Sequence, residues 1–156
     1  MESYKELKDR QQQEVNNFPL GFAFGNKQFE EMMEKWGLDA NKDSDLAQVA
    51  HLFSGAYILK KDIPAYKDMG RRHREELAAA IEADKTGEGF IYEMFLCELN
   101  NHEFGYTGDT EDALDALGYT SEDVLNDPRL KRGIEKAVAE IYRFEEERGA
   151  FSGEDD

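Results

Sequence analysis

Residues 86–128 constrain the fold of this chain more than any other stretch, because they are strongly apolar and carry charge of only one sign. The apolar run 90–96 lies near the start, and no Lys or Arg occurs anywhere in the stretch. Its charged side chains are eleven carboxylates: Glu88, Glu93, Glu98, Glu103, Asp109, Glu111, Asp112, Asp115, Glu122, Asp123 and Asp127. This combination predicts a buried helix followed by an exposed acidic surface.

The net charge of the chain is −16, and most of it lies in the second half. Residues 1–79 hold 12 basic and 14 acidic side chains, whereas residues 80–156 hold 7 and 21. Such a field repels nucleic-acid phosphates and anionic membranes and attracts basic protein surfaces. We therefore expect no direct nucleic-acid binding, no membrane association and a basic protein partner.

Length and cysteine content indicate the domain organisation and the compartment. The 156 residues suffice for one domain with a real core, which we place at 1–148, followed by a flexible acidic tail at 149–156. The single cysteine, Cys97, cannot form an intramolecular disulfide and is typical of a small core residue in a reducing compartment. The first residues do not resemble a signal peptide, so we expect a cytoplasmic protein.

Hydrophobic periodicity and cap signals predict helices over residues 3–16, 27–36, 62–84, 90–102 and 128–147. Two short stretches, Glu111–Leu117 after Thr110 and 122–126 after Thr120 or Ser121, carry helix signals of their own. Alternating apolar residues predict a strand at 18–24, and residues 46–60 favour a β-hairpin. The expected fold class is α+β, mostly helical with five to six helices and a small antiparallel hairpin or sheet.

The acidic surface is the leading candidate site. We define it by the residues expected to bind a basic partner: Glu103, Asp109, Glu111, Asp112, Asp115, Glu122 and Asp123. Carboxylates in the first turn of a helix gain about 0.3–1 kcal/mol from the helix dipole, which accounts for some of these acids. It does not account for the absence of every Lys and Arg around them. We interpret the chain as a non-enzymatic accessory protein that binds a basic protein surface, as a nucleic-acid mimic or inhibitor would.

A metal site is the alternative. Glu98 and His102 are spaced i, i+4 on the predicted helix, so both side chains can face one divalent ion, and Glu103 and Asp109 follow in a tight loop. This set would suit a metal-binding protein or a metal-dependent hydrolase; otherwise no cofactor is expected. The simpler interpretation is that His102 stabilises the end of its helix while Glu98 pairs with it. No phosphate loop, dinucleotide fingerprint or nucleophile elbow is present.

Two further groups of residues have a structural and a functional interpretation. The aromatic residues Phe18, Phe22, Phe24, Phe29 and Trp36 are expected in the core rather than in a ligand groove. The basic residues in 60–74 either neutralise part of the chain's own acidic surface or meet the acids of a second copy. The second option gives a third hypothesis, a structural or oligomerisation module that forms homo-oligomers.

Three segments, 18–24, 83–92 and 101–109, resemble those of an uncharacterised family of short acidic proteins from gut Firmicutes and their mobile elements. That family has no assigned activity or catalytic residue, so the resemblance assigns no role to any position. A mobile-element setting implies an accessory protein, such as an inhibitor of a nucleic-acid-binding defence enzyme of the host.

Overall fold

The computed structural model describes the backbone of residues 1–152 and the side chains up to Gly149. This part of the chain is 69% helical and contains one three-stranded antiparallel sheet, which confirms the α+β prediction. The helices are α1 (Tyr4–Asn17), α2 (Asn26–Lys35), α3 (Asp43–Leu46), α4 (Ile63–Ala83), α5 (Phe90–Asn101), α6 (Phe104–Thr107), α7 (Glu111–Leu117), α8 (Ser121–Asn126) and α9 (Pro128–Ser152). The strands are β1 (Leu20–Phe22), β2 (Val49–Phe53) and β3 (Ala56–Leu59).

The described residues form nine α-helices, so the prediction of five to six was too low. The difference lies in the short elements. The helices α3 and α6 have four residues each, which is a single turn and too short to show a 3.6-residue hydrophobic period. The helices α7 and α8 are separate elements with their own ends.

The chain divides into two compact units. The first unit comprises Met1–Arg10 and the chain from Glu76 onward, and the second comprises Gln11–Glu75. The single domain over 1–148 therefore stays a prediction.

The core of the first unit is built around α5, as the apolar run predicted. Its residues Ile91, Met94, Phe95 and Leu99 are completely buried. They are covered by Tyr4 and Leu7 from α1, by Ala113, Leu114 and Val124 from the short helices, and by Leu130, Ala137 and Ile141 from α9. Truncation of such a residue to Ala typically costs about 2–5 kcal/mol.

Gly133 allows α9 to lie directly against α5. A Cβ atom at Gly133 would fall 2.6 Å from Cγ2 of Ile91 and 2.8 Å from the carbonyl oxygen of Gly87. Neither distance is a normal contact, so any side chain at this position would force the two helices apart. Close approach of these helices thus depends on a residue without a side chain.

The second unit contains the sheet, in the order β1-β3-β2. The strands β2 and β3 form the predicted hairpin, which turns at Ser54 and Gly55. Met32 and Met33 of α2 are buried in a cluster with Phe29, Trp36 and Tyr57. The predicted strand at 18–24 is only three residues long and pairs with β3 over Leu20–Phe22.

Phe22 and Phe24 are not core residues, contrary to the prediction. Phe22 is 59% exposed and Phe24 is 76% exposed. Phe22 lies opposite Ala56 at the end of the edge strand, and Phe24 lies beyond it, where the alternation of a strand no longer applies. Phe18 does pack edge to face against Tyr66, with ring centroids 5.5 Å apart.

The helix α9 extends to Ser152, beyond the predicted end near Glu147. Arg143 pairs with Glu140 one turn earlier, and it pairs with Glu147 one turn later at 3.0 Å. Such pairs support continuation of the helix. Residues 153–156 of the predicted flexible tail lie outside the described residues.

Candidate functional site

The seven residues of the acidic surface lie on α7 and α8 and in the turns before α6 and α7. Phe104, Ala113, Leu114 and Val124 anchor the short helices α6–α8 in the core of the first unit. The remaining faces of these helices are left to solvent, and all seven carboxylate residues are exposed. Glu103 immediately precedes α6 with a left-handed φ of 57°, and Asp109 lies between α6 and α7.

The carboxylates of the acidic surface are not compensated by the chain itself. Among the described residues, none of the seven lies within 4.0 Å of a Lys, Arg or His nitrogen. Acids elsewhere are often paired: Asp9 lies 2.8 Å from Lys5, and Glu75 lies 3.2 Å from Arg71. The local field at α6–α8 therefore remains strongly negative.

Three of the seven surround one depression in the surface. Asp109, Glu111 and Asp115 line a cavity of about 430 Å³ together with Tyr119 and Thr120. Oδ1 of Asp109 accepts the backbone N–H of Glu111 at 2.9 Å. The carboxylates of Glu111 and Asp115 are exposed in the same depression and are available to a ligand from outside.

The helix caps next to these residues agree only in part with the sequence. Thr120 caps α8 in a capping box: its hydroxyl accepts the N–H of Asp123 at 3.1 Å, and Asp123 accepts the N–H of Thr120 at 2.9 Å. Thr110 makes no such side-chain bond at α7, contrary to the prediction. The carboxylate of Asp109 supplies the bond one residue earlier instead.

The four residues of the predicted metal site are only partly brought together. Nε2 of His102 lies 3.6 Å from Oε2 of Glu98, and the other oxygen of Glu98 accepts the hydroxyl of Tyr4 at 2.6 Å. Among the residues that the structure describes, no group of three or more His, Cys, Asp or Glu side chains is placed to hold a metal ion. The metal alternative therefore stays a prediction that this geometry does not support.

Tyr4 fixes the carboxylate of Glu98. The Tyr4 side chain is 2% exposed and its ring packs against Phe90, with centroids 5.7 Å apart. Burial raises the pKa of the Tyr4 hydroxyl well above its usual range, and its hydrogen bond to Glu98 and the charge of that carboxylate raise the pKa further. Tyr4 is thus a permanent donor, and Glu98 is held in a structural role.

The turn between α4 and α5 is built around Asp84, which sequence reasoning did not single out. Its Oδ1 accepts the N–H of Thr86 at 3.2 Å and of Gly87 at 3.0 Å. Its Oδ2 accepts the N–H of Gly89 at 3.2 Å and of Ile91 at 3.0 Å. The carboxylate of Asp84, six residues before the start of α5, therefore accepts hydrogen bonds from backbone N–H groups at the beginning of that helix. Burial alone would raise the pKa of Asp84, but these four donors outweigh it and the pKa is lowered.

Three basic side chains of α9 hold the carbonyls of the same turn. Arg129 donates to the carbonyls of Ile81 and Asp84 at 3.1 and 3.0 Å, Arg132 to that of Thr86 at 2.9 Å, and Lys136 to that of Glu88 at 3.2 Å. These bonds connect α9 to the turn and are structural.

A second surface feature lies between α5 and α9. We call it the α5–α9 groove and define it by its lining: Leu96, Asn100, Glu103, Gly105, Tyr106, Glu140, Ile141, Phe144, Glu145 and Arg148. Its volume is about 370 Å³. Phe144 is 56% exposed and lines this groove together with Leu96 and Asn100 of α5.

Arg71 and Arg72, two of the basic residues in 60–74, pair with acids of their own unit. Arg71 contacts Asp68 at 3.4 Å and Glu75 at 3.2 Å, and Arg72 contacts Glu14. This pattern agrees with the simpler interpretation, that the patch neutralises nearby acids. The oligomerisation hypothesis and the existence of a homo-oligomer stay predictions.

The comparisons with known proteins identify a family without assigning an activity. A Family of unknown function (DUF7659) matches residues 3–140, and the chain belongs to it. No curated protein and no solved structure matches the chain. The expected origin in gut Firmicutes and mobile elements stays a prediction. Among the described residues, no helix has the length and apolar character needed to cross a membrane.

Proposed function

We propose that this member of the DUF7659 family is a non-enzymatic binding protein whose acidic surface engages a basic surface of another protein. The observation that carries the proposal is that none of the seven carboxylates forms an ion pair among the described residues, in a stretch without Lys or Arg. A solvated structural surface typically mixes both signs of charge. A surface kept free of bases attracts a basic partner and accelerates its association.

The class of partner follows from the same chemistry. Proteins that bind DNA or RNA present Lys and Arg at spacings that suit phosphates. Exposed carboxylates on α7 and α8 and in the turns before α6 and α7 can occupy such a site and exclude the nucleic acid. The protein would then act in the cytoplasm as an inhibitor of a nucleic-acid-binding protein.

The test is capture of partners from a lysate of the source organism at about 0.05 and about 0.3 M salt, with identification by mass spectrometry. Because the attraction is electrostatic and exposed, the higher salt should weaken capture by about tenfold or more. A DNA oligonucleotide added in excess should displace partners that use their nucleic-acid site. Capture that is indifferent to salt contradicts the proposal.

A matched pair of variants distinguishes the effect of the acidic surface on binding from the effect of the net charge. Asp112→Lys with Asp115→Lys reverses two carboxylates of the acidic surface, and Asp68→Lys with Glu75→Lys reverses two exposed acids elsewhere. The total charge changes equally in both proteins. We expect the first pair to weaken partner binding by about tenfold or more and the second to have a much smaller effect. Equal effects would show that only net charge matters.

A further inference from the structure

The α5–α9 groove combines an apolar floor with two exposed aromatic rings. Leu96 from α5 and the buried Ile141 from α9 lie at its base. Tyr106 is 86% exposed and Phe144 is 56% exposed at its sides. Large aromatic side chains exposed together at a concave site are typical of protein interfaces, where Tyr and Phe are enriched. The volume of about 370 Å³ suffices for one large apolar side chain and the backbone next to it.

The rim of this groove is acidic. Glu103, Glu140 and Glu145 line it alongside the apolar residues. Glu140 is already paired with Arg143, and this pairing lowers the pKa of its carboxyl. Glu103 and Glu145 have no basic side chain within 4.0 Å among the described residues. Two uncompensated carboxylates beside an apolar floor are complementary to a segment that carries both positive charge and an apolar side chain.

The groove also contains one cation of the chain itself. The guanidinium carbon of Arg148 lies 5.9 Å from the centre of the Phe144 ring. Guanidinium groups stack on aromatic rings more favourably than ammonium groups do, because they are planar and weakly hydrated. The position of Arg148 therefore indicates that a guanidinium group suits the wall of the groove formed by Phe144.

We infer that the α5–α9 groove binds an arginine-containing segment of the basic partner, with one aliphatic or aromatic side chain inserted against Leu96 and Ile141. The flanking arginines pair with Glu103 and Glu145. This inference rests on the proposed function and adds to it the chemistry of the recognised segment. The acidic surface supplies long-range attraction, and the groove supplies the apolar contact that distinguishes one basic partner from another.

The experiment uses two synthetic peptides of equal length and charge. One carries arginine with leucine at every third or fourth position, and in the other serine replaces each leucine. Their binding to the full chain is measured by fluorescence anisotropy at about 0.15 M salt. Burial of one leucine in the groove should make the first peptide bind about tenfold tighter than the second.

Gly105→Leu tests the site by filling it. A Cβ atom at Gly105 would lie 3.1 Å from Oε1 of Glu145 and 3.8 Å from Cγ2 of Ile141, so a side chain there grows into the groove without removing a charge. This variant should lose the preference for the leucine peptide and retain the affinity for the serine peptide. Ala139→Leu, at an exposed position of α9, is the control and should retain the preference.

Two further measurements keep the inference testable if Gly105→Leu does not fold. The methyl signals of Leu96 and Ile141 in the unaltered protein should shift when the leucine peptide is added, and unchanged signals overturn the inference. Arg148→Ala should bind the leucine peptide about two- to fivefold tighter, because the competing guanidinium is removed from Phe144. An unchanged affinity overturns the idea that a guanidinium group of the peptide stacks on Phe144.

The outcomes separate this inference from the proposed function. Equal, salt-sensitive binding of both peptides overturns the groove but leaves the acidic surface in place. Failure of both peptides, together with no salt-sensitive partner from lysate, overturns both. If sedimentation shows a dimer that Gly105→Leu converts to a monomer, the occupant is a second copy and the inference is wrong.

Discussion

Asp84 illustrates how one side chain can organise a turn and a helix end together. Its two oxygens accept four backbone N–H groups, and the hydroxyl of Thr86 adds a contact at 3.3 Å. Gly87 completes the arrangement with a φ of 86°, and a Cβ there would lie 2.1 Å from the carbonyl oxygen of Arg129. A carboxylate and a glycine are therefore both required in this turn.

We predict that Asp84→Asn lowers the free energy of unfolding by about 1–3 kcal/mol, because an amide has one acceptor oxygen where the carboxylate has two. Urea denaturation at pH 7 measures the loss. Asp68→Asn, which removes an exposed pair with Arg71, is the control and should change stability by less than about 1 kcal/mol.

The lowered pKa of Asp84 predicts that the effect of this substitution on stability depends on pH. The folded protein lowers the pKa of Asp84, so its contribution to stability is present above the unfolded pKa of about 3.9 and is lost as the pH falls through the folded pKa. The difference in stability between the unaltered protein and Asp84→Asn should therefore narrow below about pH 4. A difference that stays constant down to acid pH contradicts this role of the charge.

At the scale of elements, contact between α5 and α9 is the central packing interaction of the first unit. The helix α5 is apolar on several faces, and α9 buries Leu130, Ala137 and Ile141 against the same core. Gly133 is buried at this contact, whereas Gly70 in α4 is partly exposed and a Cβ there would meet only Nη1 of Arg74, at 3.4 Å. The two helical glycines are thus in opposite situations.

We predict opposite effects for the same substitution at these glycines. Gly133→Ala should destabilise the protein by about 1–3 kcal/mol, because the added methyl group clashes with Ile91 and with the backbone at Gly87. Gly70→Ala should stabilise it by about 0.5–1 kcal/mol, because alanine favours the helix and only a flexible side chain is near. Chemical denaturation of both variants measures the signs, and equal signs would contradict the described packing.

At the scale of the whole molecule, the distribution of charge is the dominant feature. The net charge of −16 lies mainly in residues 80–156, and among the described residues the acidic surface forms no ion pair with a basic side chain. Like charges held close together repel one another and reduce stability, so a surface of this kind is maintained at some cost to the fold. Because the acidic surface reduces stability, we connect its presence with binding rather than with the fold.

We predict that Asp112→Lys with Asp115→Lys changes the melting temperature by no more than a few degrees, because relief of repulsion within the acidic surface offsets the lost interaction of Asp112 with the dipole of α7. The same pair of substitutions is expected to weaken partner binding. Thermal unfolding followed by circular dichroism measures the first effect. A large loss of stability would indicate that these carboxylates have a structural role instead.

The sequence by itself determined the features that arise from local patterns. The apolar run 90–96 predicted the buried helix α5, the composition of 46–60 predicted the hairpin of β2 and β3, and Thr120 or Ser121 predicted a cap at the start of α8. The exposure of the acidic surface followed in the same way. Each of these signals lies within a few consecutive residues, so neighbouring side chains and backbone groups suffice to produce it.

Only the tertiary structure decided which residues meet across long separations. Tyr4 reaches Glu98 over 94 positions, Arg129 binds the carbonyl of Ile81 over 48, and Gly133 meets Ile91 in the contact of α5 with α9. Phe144 follows the buried Ala137 and Ile141 at helical spacing, yet it is 56% exposed because it borders the open α5–α9 groove. Periodicity identifies the face of a helix that can be buried, whereas the lengths and packing of its neighbours decide how much of that face is covered.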